Sequence, residues 1–250
     1  MVGTDLVAKA LPDGHTLVLA TSSHVINGSL IKLPFDPVKD FTGVCLIATS
    51  PLMLTVNPKK SPVHTLQEWV DYAKSKPQGL TYASSGMGSL PHLAGELLAR
   101  ASGVKLLHVP YKGSGPAEQD LLGGQVDMHF GSPSSLQPQV KAGALKMLAN
   151  SSTKRSSTYP EIPTVTEMYP GFSGAETFYA VLAPAMTPPA IVEKLKANIR
   201  QVLASADIKE RLAALGADLV GASPSDTLRY IDVQVRQWDK LVKDTGIKAD

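Results

Sequence analysis

One stretch, Leu80 to Pro116, does most to limit what this chain can fold into. Leu80–Ala83 alternates and is rich in strand formers. Ser84, Ser85, Gly86, Met87, Gly88 and Ser89 then break the pattern with small residues that tolerate unusual backbone angles. Pro91 stands where a first-turn proline is expected, and Leu93, Leu97 and Leu98 form a helical apolar stripe that Gly103 closes. Val104–Val109 is the next apolar run, and Tyr111-Lys112-Gly113-Ser114-Gly115-Pro116 repeats the small-residue turn with a cation added. Each turn leads into a helix N-terminus, where unpaired backbone N–H groups and the helix dipole favour an anion. Two such termini facing one crevice make an anion site.

The flanking chain follows the same grammar. Thr4–Ala10 reads as a short helix, Pro12-Asp13-Gly14 as a turn, and Thr16–Ala20 as a strand. Thr21, Ser22, Ser23 and His24 form a polar turn after that strand, a third candidate ligand loop. Phe41–Ile47 and Leu52–Val56 read as two strands broken at Thr49-Ser50-Pro51. Thr65 and Glu68 form a capping box before a helix carrying Leu66, Trp69, Val70 and Ala73 on one face. Val126–Phe130 is a strand, and Gly131 to Ser134 a fourth small-residue turn, with Ser134 and Gln137 placed to cap the next helix. Ser151–Gly174 is a long, proline-broken segment, a packed loop or a linker. Beyond it come a strand at Phe178–Ala183, a helix with Ile191, Leu195, Ile199 and Val202 on one face, a shorter helix near Ile208–Leu215, and a last helix striped by Leu228, Ile231, Val235, Trp238 and Leu241. Trp69 and Trp238 sit in those stripes as core anchors. Alternating strands and helices imply α/β parallel sheets with ligands at the carboxyl ends of the strands.

Several function classes are disfavoured. A net charge of +2 with dispersed basic residues gives no footprint for a nucleic-acid partner. The lone Cys45 lies in an apolar run and reads as a buried structural thiol, which excludes an internal disulfide and a cysteine metal cluster. No stretch approaches the roughly 20 continuous apolar residues of a membrane helix, and no basic-then-apolar leader opens the chain. Gly86-x-Gly88 is a fragment of a dinucleotide fingerprint with Pro91 where the third glycine belongs. Ala83-Ser84-Ser85-Gly86 lacks the first glycine of a hydrolase elbow. His92 and Glu96 are four apart on a helix, a chelating spacing without a third ligand, so His92 reads as structural. No catalytic set is complete, no metal or cofactor is expected, and binding without chemistry is the better reading. A small-molecule hydrolase on an α/β scaffold stays as the alternative.

Seven blocks in order carry a family resemblance: AKALPDGHTLVLATSSHVIN (8–27), LPFDPVKDF (33–41), LTYASSGMGSLPHLAGELL (80–98), VPYKGSGPAEQDLLGGQVDMHF (109–130), KRSSTYPEIPTVTE (154–167), APAMTPPAIVEKL (183–195) and ERLAALGADLVGASP (210–224). The chain resembles the tripartite tricarboxylate transporter receptors, the TctC or Bug extracytoplasmic solute-binding proteins. The resemblance implies the periplasmic-binding-protein type II (Venus flytrap) architecture, two α/β domains closing on a cleft. Residues 1–51 and 176–250 are expected to form domain 1, and 52–175 an inserted domain 2. The family opens with a signal peptide and a β-α unit whose turn lines the cleft; here Met1-Val2-Gly3 leads almost directly into the family's second helix, so an N-terminally truncated chain lacking that unit is expected. The resemblance further implies a periplasmic monomer that captures a small organic carboxylate and hands it to membrane permease subunits. A ligand-sensing receptor that presents its liganded form to a signalling partner is the other binding role.

Ligand contacts are expected from Ser84, Ser85, Gly86, Gly88 and Ser89, for which a plain turn and helix cap is the bland alternative, and from Thr21, Ser22, Ser23 and His24. His24 divides evenly between ligand and local packing. The matching V-P-Y-K-G turn borders the cleft in the family, which favours Tyr111 as a contact and leaves Lys112 open. Ser132 and Ser134 are further candidates, although the family more often carries Asp-Asn at the positions of Gly131 and Ser132, a departure that bears on the distal contacts. At the domain return, Glu176, Thr177 and Phe178 precede a strand where the family can lay an aromatic side chain over the ligand; Phe178 is the candidate. Low charge in these turns argues for a mono- or dicarboxylate over a tricarboxylate.

Overall fold

The computed structural model describes residues 2–248. Two compact units divide them: residues up to Thr49 together with those from Thr177 onward, and Ser50–Glu176.

The first unit opens with helix α1 (Val2–Ala8), strand β1 (Val18–Ala20), helix α2 (Ser22–Leu30) and strand β2 (Phe41–Pro51). The second contains β3 (Met53–Val56), α3 (Leu66–Lys74), β4 (Leu80–Ser84), α4 (Leu90–Ser102), β5 (Leu106–Pro110), α5 (Ser114–Leu122), β6 (Met128–Gly131), α6 (Pro133–Lys141), β7 (Lys146–Asn150) and α7 (Val165–Met168). The chain then returns through β8 (Glu176–Pro184), α8 (Pro189–Leu203), α9 (Ala206–Ala214), β9 (Asp218–Leu219) and α10 (Pro224–Thr245).

The first unit's sheet has the order β1-β8-β2-β9, with β1 antiparallel to β8 and β2 antiparallel to β9. The second unit's sheet has the order β5-β4-β6-β3-β7. There β4 is parallel to both β5 and β6, while β3 is antiparallel to β6 and β7. The second sheet is therefore mixed and the first carries antiparallel pairs, so neither is wholly parallel as alternation suggested. Only a strand–helix–strand crossover forces parallel pairing. β3 follows β2 with no helix between them, so it is free to run against its neighbours.

Packing explains which stripes are core. Trp69 and Trp238 are both fully buried. Cys45 is buried too, and burial pushes its thiol up, as suits a structural residue. In α8 the inward stripe is shifted from the expectation: Leu195 and Ile199 pack inward with Leu203, whereas Val202 is 55% exposed. In the second unit, Ala117, Leu121 and Leu136 of α5 and α6 pack with Ala83 and Met53, while Tyr82, Leu93 and Leu98 are fully buried where α4 meets β4. The 151–174 segment is packed as expected, with Val165 and Phe172 fully buried. A capping box of Thr164 and Glu167, missed in the sequence, starts its one-turn helix, and Arg155 grips Glu167 with two bonds of 2.8 and 2.7 Å.

Three boundaries move for local reasons. Thr21–His24 is not a free turn: Thr21 is the N-cap and Ser22 the first residue of α2. Thr49-Ser50-Pro51 does not break the strand, because β2 runs on to Pro51. β8 begins at Glu176, so Phe178 lies inside it.

Candidate functional site

Strands β5, β4 and β6 lie side by side and run the same way, so their carboxyl ends, Pro110, Ser84 and Gly131, sit together at one edge of the sheet. Each end passes through a short turn into a helix: α4 behind Ser89, α5 behind Gly113 and α6 behind Ser132. None of the three N-caps bonds its own first turn with a side chain. Ser89 Oγ instead donates backwards to Gly86 O at 2.7 Å, and Ser132 Oγ and Ser134 Oγ lie 3.0 Å apart. Helix N-termini left uncapped by side chains keep donors available to a bound anion. Lys112, exposed, is the only charged residue in these turns.

The turns are built to hold shape. Ser84 Oγ accepts Gly86 N–H at 3.1 Å, and Gly86 and Gly88 take φ of 134° and 69°, which a side chain would strain. Gly88 N–H donates to His92 Nδ1 at 3.0 Å. The first and second turns are stitched by Tyr111 N–H to Ser84 O at 3.0 Å and Gly113 N–H to Ser85 O at 3.3 Å. Ser135 Oγ donates to Glu118 Oε1 at 2.6 Å, tying α6 to α5.

Beneath the first turn lies a polar cluster that sequence reasoning did not assemble. His108 Nε2 is 2.6 Å from Ser84 Oγ, and the His108 ring stacks on His92 with centroids 3.8 Å apart and 6° between planes. Tyr82 stacks on His108 and donates its hydroxyl to Glu96 Oε1 at 2.7 Å. Burial, joined by the His92 imidazole alongside, pushes His108 down to about 4. Burial also lowers His92, with Glu96 pulling the other way, and burial with Glu96 raises Tyr82. Gly95 makes the packing possible: a Cβ there would come 2.2 Å from the Tyr82 ring. Alternation along β5 puts His108 opposite Leu107 and Val109, but only the β4–β5 register, Tyr82 beside His108, shows where it goes.

The expected contacts separate into groups. Ser85, Gly86 and Ser89 are half-buried and ring the turn, as do Ser132 and Ser134 at the third. Gly88 is buried and contributes shape. Ser84 is fully buried, and its hydroxyl bonds Gly86 and His108. Tyr111 donates its hydroxyl to Asp120 Oδ2 at 2.5 Å, and burial plus that carboxylate raise it to about 12.

In the first unit, Thr21 is half-buried with Oγ1 3.1 Å from Ser23 Oγ, and Ser23 is exposed. Ser22 is buried and accepts Phe178 N–H at 3.3 Å. His24 resolves to local packing: Nε2 bonds Pro37 O at 2.8 Å, and the ring lies against Phe35 and Phe41. Phe178 is fully buried with its ring edge-on to Tyr230. Glu176 and Thr177 are half-buried within β8.

Residues 1–247 match the family described as the tripartite tricarboxylate transporter family receptor. Protein BugT of Bordetella pertussis is 36% identical over 252 residues, covering 99% of this chain and 77% of that protein. The periplasmic binding protein BugD superposes with a TM-score of 0.78 at 33% identity, covering 100% of this chain and 84% of that one. An R. palustris protein solved with adipate gives 0.81 at 32% identity, with the same coverage. MatC from Rhodopseudomonas palustris with bound malate gives 0.76 at 32% identity, covering 96% and 83%.

Proposed function

Because this chain belongs to the tripartite tricarboxylate transporter family of receptors, a family of periplasmic solute-binding proteins and not of enzymes, we propose that it captures a small mono- or dicarboxylate for delivery to the permease subunits of such a transporter. The observation that carries the reading is the convergence of three helix N-termini without side-chain caps at the carboxyl ends of β5, β4 and β6. A carboxylate there is held by backbone N–H groups and the hydroxyls of Ser85, Ser132 and Ser134. Charge-assisted bonds of this kind need no formal counter-ion. With Lys112 as the only cation in the turns, one or two carboxylates fit the site better than three. The head of α2, with Thr21 and Ser23, offers a separate set of donors. That solved relatives carry adipate and malate agrees with this class. Periplasmic placement and a monomeric state belong to the same proposal; no helix among the described residues is long and apolar enough to cross a membrane.

Thermal unfolding of the full chain with a panel of adipate, malate, succinate, benzoate and citrate tests the reading. A ligand at about a hundred times its Kd contributes roughly 2.7 kcal/mol, a Tm shift of roughly 5–11 °C for a chain of this size. The expected result is a shift with at least one mono- or dicarboxylate. A shift with citrate alone, or with none of the panel, overturns it.

A further inference from the structure

We propose that His92 is a positioning residue for carboxylate capture: its unprotonated Nδ1 holds Gly88, and through it the whole Gly86–Ser89 turn, in the shape that presents its donors. The inference rests on the carboxylate reading above.

The bond itself sets the protonation state. Nδ1 accepts Gly88 N–H at 3.0 Å, so the ring proton sits on Nε2, which faces Glu96 Oε1 at 4.0 Å. His92 is 3% exposed and Gly88 is buried, so no water replaces that acceptor without rearrangement. The stacked partner does the same work at the other end of the turn: His108 Nε2 meets Ser84 Oγ, which accepts Gly86 N–H. Two parallel imidazoles thus hold the two glycines whose positive φ defines the turn.

Among the described residues, the titratable groups that face His92 are few. They are Glu96 on its own helix, Tyr82 on β4 and His108 on β5; on β6 the face in register with Tyr82 carries Met128 and Phe130. Burial holds both histidines below the ordinary range, so both are neutral at pH 7. Protonating His92 at Nδ1 would set one N–H against another and place a cation 3.8 Å from a second imidazole centroid. The turn would then lose its hold on Gly88.

Two substitutions separate positioning from packing. His92→Asn sets an amide oxygen where Nδ1 stands and carries no titratable group, whereas His92→Gln reaches the Nε2 position and leaves Gly88 without an acceptor. On the ligand-free full chain, the Gly88 amide resonance is followed against pH, with amide dispersion reporting that each variant is folded. Adipate affinity is measured by calorimetry in parallel. The wild-type Gly88 resonance is expected to titrate below the ordinary histidine range, and adipate affinity to fall across the same range. His92→Asn is expected to keep affinity within about threefold and to lose the Gly88 step that His92 sets, its affinity then falling only where His108, near 4, and adipate's own carboxylates take up protons, while His92→Gln loses about five- to tenfold. Equal losses in Asn and Gln, a Gly88 resonance that does not titrate, or wild-type affinity that rises on acidification would each overturn the proposal. A chain that binds no carboxylate but whose Gly88 titrates, and ceases to in His92→Asn, overturns the carboxylate reading and supports the His92–Gly88 hold.

Discussion

The heads of α2 and α4 are built from nearly the same parts, and they are held in opposite ways. Both follow a strand, both are entered through small hydroxyl residues, and both carry a histidine at the third helical position, His24 and His92. His24 turns away from the helix head toward Phe35 and Phe41, and its Nε2–H donates to a distant carbonyl, Pro37 O. His92 turns back, accepts from the turn that precedes its own helix and stacks on a second histidine. The first turn is thus anchored by aromatic packing, the second by a hydrogen-bonded network beneath exposed donors. The same position along a helix leaves an imidazole free to face either way; the partners that folding brings to it differ at the two heads.

The comparison breaks hardest at Phe178, whose N–H is bound by the α2 head and whose ring is core. Phe178→Ala should cost about 3–5 kcal/mol in denaturant unfolding; a loss under about 1 kcal/mol would return the ring to a ligand-facing role. Acidification sharpens the contrast. His108 is held at about 4 in the folded chain against an ordinary 6.5, so between those values the unfolded chain binds more protons. Its stability contribution is present above about 6.5 and is lost as pH falls toward about 4. His108→Gln should flatten the urea midpoint over that window, leaving the residual slope of His24 and His92, which burial also lowers. A midpoint whose pH slope is unchanged in the variant would show that the α4 network does not set acid sensitivity. The smallest effect belongs to Tyr111→Phe. Losing the bond to Asp120 should cost about 1 kcal/mol of stability and change carboxylate affinity by less than about threefold, since the phenol is already occupied; a larger affinity loss would make it a ligand contact.

Much of the frame was legible one residue at a time. Glycine and proline punctuation marked the turns at 84–89, 111–116 and 131–134, because backbone angles there are a local property, although α5 already begins at Ser114. Helical stripes identified Trp69 and Trp238 as core for the same reason. The capping box at Thr164 was equally local, and only the surrounding prolines obscured it. What one residue at a time does not show is of another kind. Ser84, Tyr111 and Phe178 each have their polar atoms or ring engaged by a partner distant in the chain, His108, Asp120 and Tyr230 respectively.

The amino-acid order by itself determined where strands stop, where helices begin and that several helix heads would be rich in small donors, since those follow from torsional preference and periodicity along the chain. Tertiary structure alone decided which donors stay open. The β4–β5 register brought His108 beneath Ser84, the missing side chain of Gly95 let Tyr82 close over it, and the antiparallel β3 left β5, β4 and β6 as the contiguous parallel set. Hydrogen-bonding capacity is written in each residue, but whether it is already spent depends on neighbours that only folding supplies.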